Sequence, residues 1–292
     1  INLLSHNPSF GLHPDEGRNI PCCWGIKALE PRRCEVYGLS QRRGFLFFAM
    51  KDQPLSCRCL ALTGTFETGR RPPACFAGLS GDFDGQGISF GVLQWNIGQG
   101  TLQPLLLEMI HEHPKVFSDA MGAASGEILP IFSESLEVHL TWARSIQEET
   151  RVKAEWRERF HALALTPEFQ AIQVRAAKGR YSQALTWCVS YGFRSERAVA
   201  LMFDIEVQNG SIPKNVALSI RADIAKLSVP DEAARMRIVA NRRADAANPR
   251  WAEDVRERKL CCANGKGTVH GLDIDLDDYG IGLDVADDLK GA

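Results

Sequence analysis

The chain has 292 residues, of which 45% are apolar and 24% charged, so it can bury one large core or two smaller ones. This composition argues against a disordered protein. The formal net charge of -2 provides no overall basic field, so nucleic acid held through its phosphates is not an expected partner. No apolar run has the length of a membrane-spanning helix, which predicts no membrane insertion.

The N-terminus carries no signal-peptide pattern, because residues 1–17 lack a basic start and a continuous apolar stretch. The first residue is Ile1 rather than methionine, so we interpret the chain as a processed protein or a piece of a longer one. Residues 1–54 hold clustered arginines and one strong apolar run, Gly44 to Met50, without a helical period. We predict a loop-rich segment over 1–54 that packs on a main domain over 55–292, the run forming one buried strand or short helix.

Nine cysteines are a high count for a cytosolic protein and an odd number for a complete disulfide set. Neither the adjacent pairs, such as Cys261 with Cys262, nor the Cys57-x-Cys59 unit has the C-x2-C spacing of structural zinc sites. We therefore predict no metal and no cofactor. Disulfides and buried free thiols stay open as alternatives.

The stretch after Pro54 predicts a short helix whose last turn delivers Glu67 to a loop before Gly69. Gly78 to Gly100 then holds seven glycines among 23 residues, with SFGVLQW at 89–95 as a strand-like centre, which is typical of a β-hairpin.

Helical patterns follow, so the predicted fold class is a predominantly α body with a small glycine-rich hairpin, in α+β form. The expected helices are one from Pro104 to near Pro114, one long or two shorter ones over 134–163, one from Thr166 to Tyr191, one from Ser195 to Gly210, and three over 213–227, 231–246 and 249–260.

In the tail, Asp273, Asp275 and Asp277 alternate with Ile274 and Leu276, as on an exposed strand. The spacing fails the calcium-loop pattern, which wants glycine at position 278 and glutamate at 284. We interpret this segment as a solvated acidic edge.

Glu67 and Asp84 are the candidate catalytic pair, because glycosidic hydrolysis needs one carboxylic acid and a second carboxylate. Partial burial beside Phe66 and Pro72 would favour the protonated form of Glu67, whereas the glycine-rich turn around Asp84 would favour its ionised form. A helix-end glutamate and an aspartate in an Asx turn are the plain structural alternative.

The segment DGQGISFGVLQWNIGQGTLQPLL at 84–106, together with Glu67, resembles the catalytic segment of the chitosanases of glycoside hydrolase family 46. It is also similar to lysozyme-like bacterial cell-wall hydrolases, including domains of type VI secretion effectors and endolysins. Weaker similarity extends over 55–285, through residues 167–192 and 267–276. The resemblance implies a lysozyme-like fold whose hairpin lines a substrate cleft.

By that resemblance, Glu67 matches the general acid, Asp84 the general base, and Ser89 a threonine that holds the attacking water. The family inverts stereochemistry, which implies carboxyl groups about 6.5–9.5 Å apart. Gln86 departs from the family, which has arginine there, and this puts chitosan specificity in doubt. Asp82 is an alternative second carboxylate.

The expected substrate contacts share amide, carboxylate or aromatic side chains suited to sugars: Asp82, Gln86, Gln94, Trp95, Asn96 and Gln99. Trp95 could equally be part of the core. We expect His111 and His113 to lie on the surface, and leave open whether His270 orders the tail or reaches the cleft.

The two carboxylates, the hairpin and Gln86 predict a hydrolase of peptidoglycan glycan strands. The resemblance to effector domains implies a protein that is secreted or delivered to the bacterial periplasm, with an immunity protein as a candidate partner. A chitosanase and a glycan-binding module without turnover are the two alternatives. The residues do not separate a muramidase from a glucosaminidase.

Overall fold

The computed structural model describes residues 50–228 and 231–291. The predicted N-terminal segment, the apolar run before Met50, and Cys22, Cys23 and Cys34 lie outside these residues. The division at residue 54 therefore stays a prediction.

Twelve α-helices occupy most of the described residues: α1 (Leu55–Thr68), α2 (Gln103–Glu112), α3 (Pro114–Met121), α4 (Ser125–Phe132), α5 (Leu136–Ser145), α6 (Ala154–Ala164), α7 (Pro167–Ala176), α8 (Lys178–Tyr191), α9 (Glu196–Asn209), α10 (Lys214–Ile224), α11 (Glu232–Asp245) and α12 (Ala252–Asn264). Within the same residues, no helix is both long and apolar enough to cross a bilayer.

The described part of the chain also contains seven short strands in three antiparallel sheets: β1 (Leu79–Ser80), β2 (Ser89–Phe90) and β3 (Trp95–Asn96), then β4 (Gln147–Glu148) with β5 (Arg151–Val152), and β6 (Lys266–Val269) with β7 (Leu272–Asp275). The predicted fold class, a helical body with a small glycine-rich hairpin, is confirmed.

Several helices begin and end at the predicted signals. The Thr166 hydroxyl accepts from the Phe169 N–H at 3.2 Å, and the Ser195 hydroxyl accepts from the Ala198 N–H at 3.2 Å. Helix α8 ends at Gly192, whose φ of 64° favours glycine. These side chains satisfy N–H groups that have no partner inside the helix.

Two long helical predictions divide in the structure. Residues 134–163 form two helices, one of the alternatives, but the β4–β5 hairpin between them was not expected. The predicted helix over 167–191 is interrupted at Ala177, whose N–H is shared between the carbonyls of Gln173 and Val174. A shared bond of this kind tightens the last turn of α7 and ends it.

The sequence predicted the SFGVLQW segment as the strand-like centre of a hairpin. In the structure it contains β2, a turn and the start of β3. The chain reverses between Gly91, at φ 89°, and Gln94, at φ 54°. Helices α3 and α4 were missed, and the latter contains Pro130. In the tail, Asp273 and Asp275 flank buried Ile274 on β7 as predicted, whereas Asp277 lies in a short 3-10 helix instead of the strand.

Helix α1 is the centre of the fold, because eleven of its 14 residues are buried. A helix buried on all sides packs against neighbours in every direction. On one side, Gly64 lies so close to the hairpin that an added Cβ would stand 2.1 Å from Val92 Cγ2.

Two apolar clusters form the interior. The first contains Phe66 of α1 with residues of α8, α9 and α12, and the second contains Phe90 of the hairpin with residues of α2 to α7. In the second cluster, the ring centroid of Phe90 is 4.7 Å from that of Phe160 and 5.4 Å from that of Phe169. Trp95 packs against both clusters.

The six described cysteines are free thiols, so the disulfide alternative is wrong for them. All but Cys57 are buried. Burial raises the pKa of Cys57 to about 11 and that of Cys261 to about 12, which keeps these thiols protonated at neutral pH. They act as small apolar side chains.

The contact between α1 and the hairpin predicts a cost for enlarging Gly64. We expect Gly64→Ala to lower the free energy of unfolding by about 1–3 kcal/mol, because the added methyl overpacks the interface. Gly179→Ala in α8 is the control, since nothing lies within 4 Å of its added Cβ. Urea unfolding measures both variants, and equal stabilities would contradict this packing.

Candidate active site

Glu67 lies in the last turn of α1, where the helix ends at Gly69 with φ 65°. Its side chain is 31% exposed, and its Oε1 lies 2.8 Å from Nη2 of Arg258. The side chain of Glu67 is thus partly buried, but it is paired with a guanidinium that the sequence did not indicate. The contact with Arg258 is made through Oε1.

Arg258 belongs to a buried ionic cluster formed by α9 and α12. Its Nη2 also lies 2.7 Å from Oδ1 of Asp204, and Lys259 pairs with the other oxygen of the same carboxylate. Asp204 and Lys259 are fully buried. The Thr63 hydroxyl of α1 donates to Asp204 Oδ1 at 3.2 Å, which ties the cluster to the helix of Glu67.

In this cluster, burial and the neighbouring charges shift the pKa values of Asp204 and Lys259 in opposite directions. Burial alone would raise the pKa of Asp204, but the charges of Arg258 and Lys259 outweigh it and lower the pKa to about 2. Burial lowers the pKa of Lys259 to about 8, although the Asp204 charge acts in the opposite direction. Both groups are thus charged at neutral pH, and the buried Asp204 carboxylate is paired with two cations, Arg258 and Lys259.

Hydrogen bonds extend this cluster to the surface at His270. The Lys259 ammonium donates to Oε1 of Gln208 at 2.6 Å, and Nε2 of Gln208 donates to Asp254 at 2.7 Å. The other Asp254 oxygen pairs with Nε2 of His270, which lies in the β6–β7 turn. His270 therefore orders the tail and joins it to the cluster beneath Glu67.

The two aspartates of the hairpin loop have different surroundings. Asp84 is exposed, and its Oδ1 accepts from the Gln86 N–H at 3.1 Å in an Asx turn. The side chain of Asp82 is only 9% exposed, and its Oδ2 lies 3.2 Å from Nε of Arg144. Of the two, Asp84 is the one whose carboxylate water can reach.

Ser89 and Asn96 are brought together by strand pairing, as direct partners in the β2–β3 ladder. The Asn96 Nδ2 donates to Ser89 Oγ at 2.9 Å, and its Oδ1 accepts from the Gln99 N–H at 3.1 Å. Asn96 is 1% exposed. Its side chain holds the turn together inside the protein, which corrects its prediction as a substrate contact.

The remaining candidates divide by exposure. Gln86 and Gln99 are exposed, so their side chains are open to a ligand. Gln94 accepts from the Ser80 hydroxyl, and its Nε2 donates to the Gly91 carbonyl at 2.9 Å, so both amide atoms are engaged within the hairpin. Trp95 is half-buried between the two clusters, as its core alternative requires.

The hairpin lies directly beside the end of α1. A Cβ added to Gly78 would stand 3.1 Å from Cγ2 of Thr68, the residue that follows Glu67. The acidic candidates thus come from adjoining segments. Among the described residues, no group of three potential ligands is placed to bind a metal ion.

Sequence reasoning missed Asp204, Arg258, Lys259 and Arg144. One signal was available for the first, since Asp204 interrupts the apolar run AVALMF-D-I in α9. A charged residue on a buried helix face requires a buried partner. Its partners Arg258 and Lys259 lie in α12, where most residues are charged or polar, so nothing in the sequence distinguishes them.

No family model and no curated protein matches this chain. Solved structures with a similar fold include chitosanases. A family 46 chitosanase from Gynuella sunshinyii, in complex with chitotetraose, is 12% identical over 76% of this chain and 97% of its own, with a TM-score of 0.48. A mutant chitosanase from Bacillus subtilis, complexed with six GlcN, is 18% identical over 77% and 97%, with a TM-score of 0.43. Similarity of this degree carries no functional conclusion.

The buried cluster predicts a pH-dependent stability. The folded-state pKa of Asp204 is about 2, below its ordinary 3.8, so its contribution is present above 3.8 and lost as pH falls toward 2. We expect Asp204→Asn to lower the free energy of unfolding at pH 7 by about 3–5 kcal/mol, because buried cations lose their partner. The loss should shrink between pH 4 and pH 2, as chemical denaturation can measure.

Asp119→Asn is the control for this experiment, because Asp119 forms an exposed pair with Lys115. We expect it to change stability by less than about 1 kcal/mol. If the two variants were equally stable, the buried cluster would not hold α9 and α12 together.

Proposed function

We propose that this protein is an inverting glycoside hydrolase that cuts amino-sugar polymers, with Glu67 as general acid and Asp84 as general base. The observation that carries the proposal is the contrast between the two carboxylates. Glu67 is held from below by a buried guanidinium, and Asp84 is open to water on the adjoining loop. Hydrolysis of a glycosidic bond requires two carboxyl groups in different roles.

The free oxygens define the proton path. Arg258 contacts Oε1 of Glu67, so in the proposed acid form the proton is on Oε2, which donates it to the glycosidic oxygen as the bond to the leaving sugar breaks. The Gln86 N–H engages Oδ1 of Asp84, so Oδ2 accepts a proton from the attacking water. The water oxygen forms the new bond to the anomeric carbon, and the products are two sugar ends.

Ser89 is the proposed second partner of that water. Its Oγ already accepts from Asn96, which leaves the hydroxyl hydrogen to donate. The Asn96 bond thereby fixes which way the hydroxyl points, and Asn96 supports the site without facing it.

Within the amino-sugar polymers, we propose the glycan strands of peptidoglycan. Gln86 is exposed at the turn beside Asp84 and presents a neutral amide, which suits hydrogen bonds to N-acetylated sugars. Chitosan is the second candidate, because residues 84–106 with Glu67 resemble the catalytic segment of the chitosanases. Reducing ends released from purified peptidoglycan and from soluble chitosan, measured in parallel, decide between them.

Removing either carboxylate should abolish most turnover. We expect Glu67→Gln and Asp84→Asn each to lower kcat about 100- to 10,000-fold, the range of general acid or base catalysis. Asp84→Asn should leave stability nearly unchanged, whereas Glu67→Gln should also lower it, because the buried Arg258 loses a charged partner. Glu158→Gln, an exposed change on α6, is the control. Wild-type rates in both site variants would contradict the assignment of Glu67 and Asp84 as catalytic residues. Binding to insoluble cell wall without release of reducing ends would favour a glycan-binding module.

The same mechanism predicts the stereochemistry of the product. A water that attacks opposite the leaving group inverts the anomeric carbon, and it needs a carboxyl separation of about 6.5–9.5 Å. We expect the first anomer seen by NMR to be the inverted one. A retained anomer would indicate a covalent intermediate and would contradict Asp84 as a base.

A further inference from the structure

We propose that Arg144 is a positioning residue for Asp84, and that it acts by anchoring Asp82 and the turn that follows. This inference rests on the proposed function, in which Asp84 activates water. Arg144 lies in the last turn of α5, on a different element from the hairpin, so the contact joins two separate parts of the chain.

The first step concerns the burial of Asp82. Its side chain is 9% exposed, and its Oδ1 has no hydrogen-bond partner within the described parts of the chain. A buried carboxylate needs a paired cation or it is expelled toward water. Arg144 is that cation, through the 3.2 Å contact of its Nε with Oδ2. The position of Asp82 therefore depends on Arg144.

The second step concerns the other side of Asp84. Nη2 of Arg144 reaches the carbonyl oxygen of Gly85 at 3.5 Å. One guanidinium thus contacts the chain both two residues before Asp84 and one residue after it. The planar arrangement of its donors allows two directions to be set at once, which an ammonium group cannot reproduce.

The third step is the close approach of the loop to the α5–β4–β5 region. A Cβ on Gly81 would stand 1.7 Å from the carbonyl oxygen of Thr150, so only glycine fits there. The Asp82 N–H donates to Oε1 of Gln147 at 2.8 Å, and Nε2 of Gln147 donates to the Ala143 carbonyl at 2.6 Å. The start of the loop is therefore docked, and Arg144 extends this docking to the turn with Asp84.

The position of the base matters because catalysis depends steeply on geometry. A displacement of about 1 Å can cost about 100-fold in rate without weakening substrate binding to the same degree. A positioning residue is thus expected to change kcat more than KM, and to leave the rest of the fold intact.

The test compares Arg144→Met with Arg144→Lys and with Arg151→Met, a matched exposed arginine on β5. For Arg144→Met we expect kcat to fall about 100-fold with KM within about threefold of wild type. Arg144→Lys should recover part of the rate, because it restores a positive charge beside Asp82. It does not restore the planar set of guanidinium donors that also reaches Gly85. Amide hydrogen exchange over residues 82–87 should accelerate in Arg144→Met and stay unchanged in Arg151→Met.

A double variant checks that Arg144 acts through Asp82. Asp82→Asn combined with Arg144→Met should lose little more activity than Arg144→Met alone. Multiplying losses would overturn the link between the two residues. An increase in KM alone would make Arg144 a substrate contact and overturn the positioning role, as would unchanged exchange over 82–87.

Failure of the proposed function would look different. If the wild type releases no product from either polymer, the hydrolase assignment is wrong. Amide exchange over residues 82–87 still tests whether the contacts of Arg144 anchor this loop. Faster exchange in Arg144→Met than in Arg151→Met, at equal thermal stability, supports the anchor, and equal exchange overturns it.

Discussion

The structure depends on the ionic cluster that Asp204, Arg258 and Lys259 form between α9 and α12. Charges without access to water are tolerated only when each has a well-placed partner, so the helices that carry them cannot shift independently. Glu67 pairs with Arg258 of this cluster, and its side chain reaches the surface. The position of the Glu67 carboxylate is therefore set by buried groups of the protein interior.

The opposite carboxylate is held in another way. Asp84 sits on an irregular loop, and what restrains that loop is a set of surface contacts to the α5–β4–β5 region. One side of the candidate site is thus supported by buried charges in the first apolar cluster, and the other by a partly exposed guanidinium beside the second.

Local signals in the sequence predicted the parts of the fold that depend on near neighbours. The helix ending at Glu67, the cap at Thr166 and the end at Gly192 each follow from residues within one turn. The turn inside SFGVLQW was missed, because its positive-φ geometry at Gln94 is stabilised by bonds to Ser80 and Gly91. Arg258 and Glu67 are 191 positions apart, and no periodicity relates them.

The position of Arg258, far after Glu67 in the chain, has a consequence for biosynthesis. Domains form from the N-terminus as a chain leaves the ribosome, so α1 and the hairpin emerge well before α12. Until α12 arrives, Asp204 has neither of its cations and Glu67 has no guanidinium beneath it. A chain that lacks α12 therefore carries Glu67 and Asp84 but not the ionic cluster beside Glu67, and the candidate site is assembled only after α12 has formed.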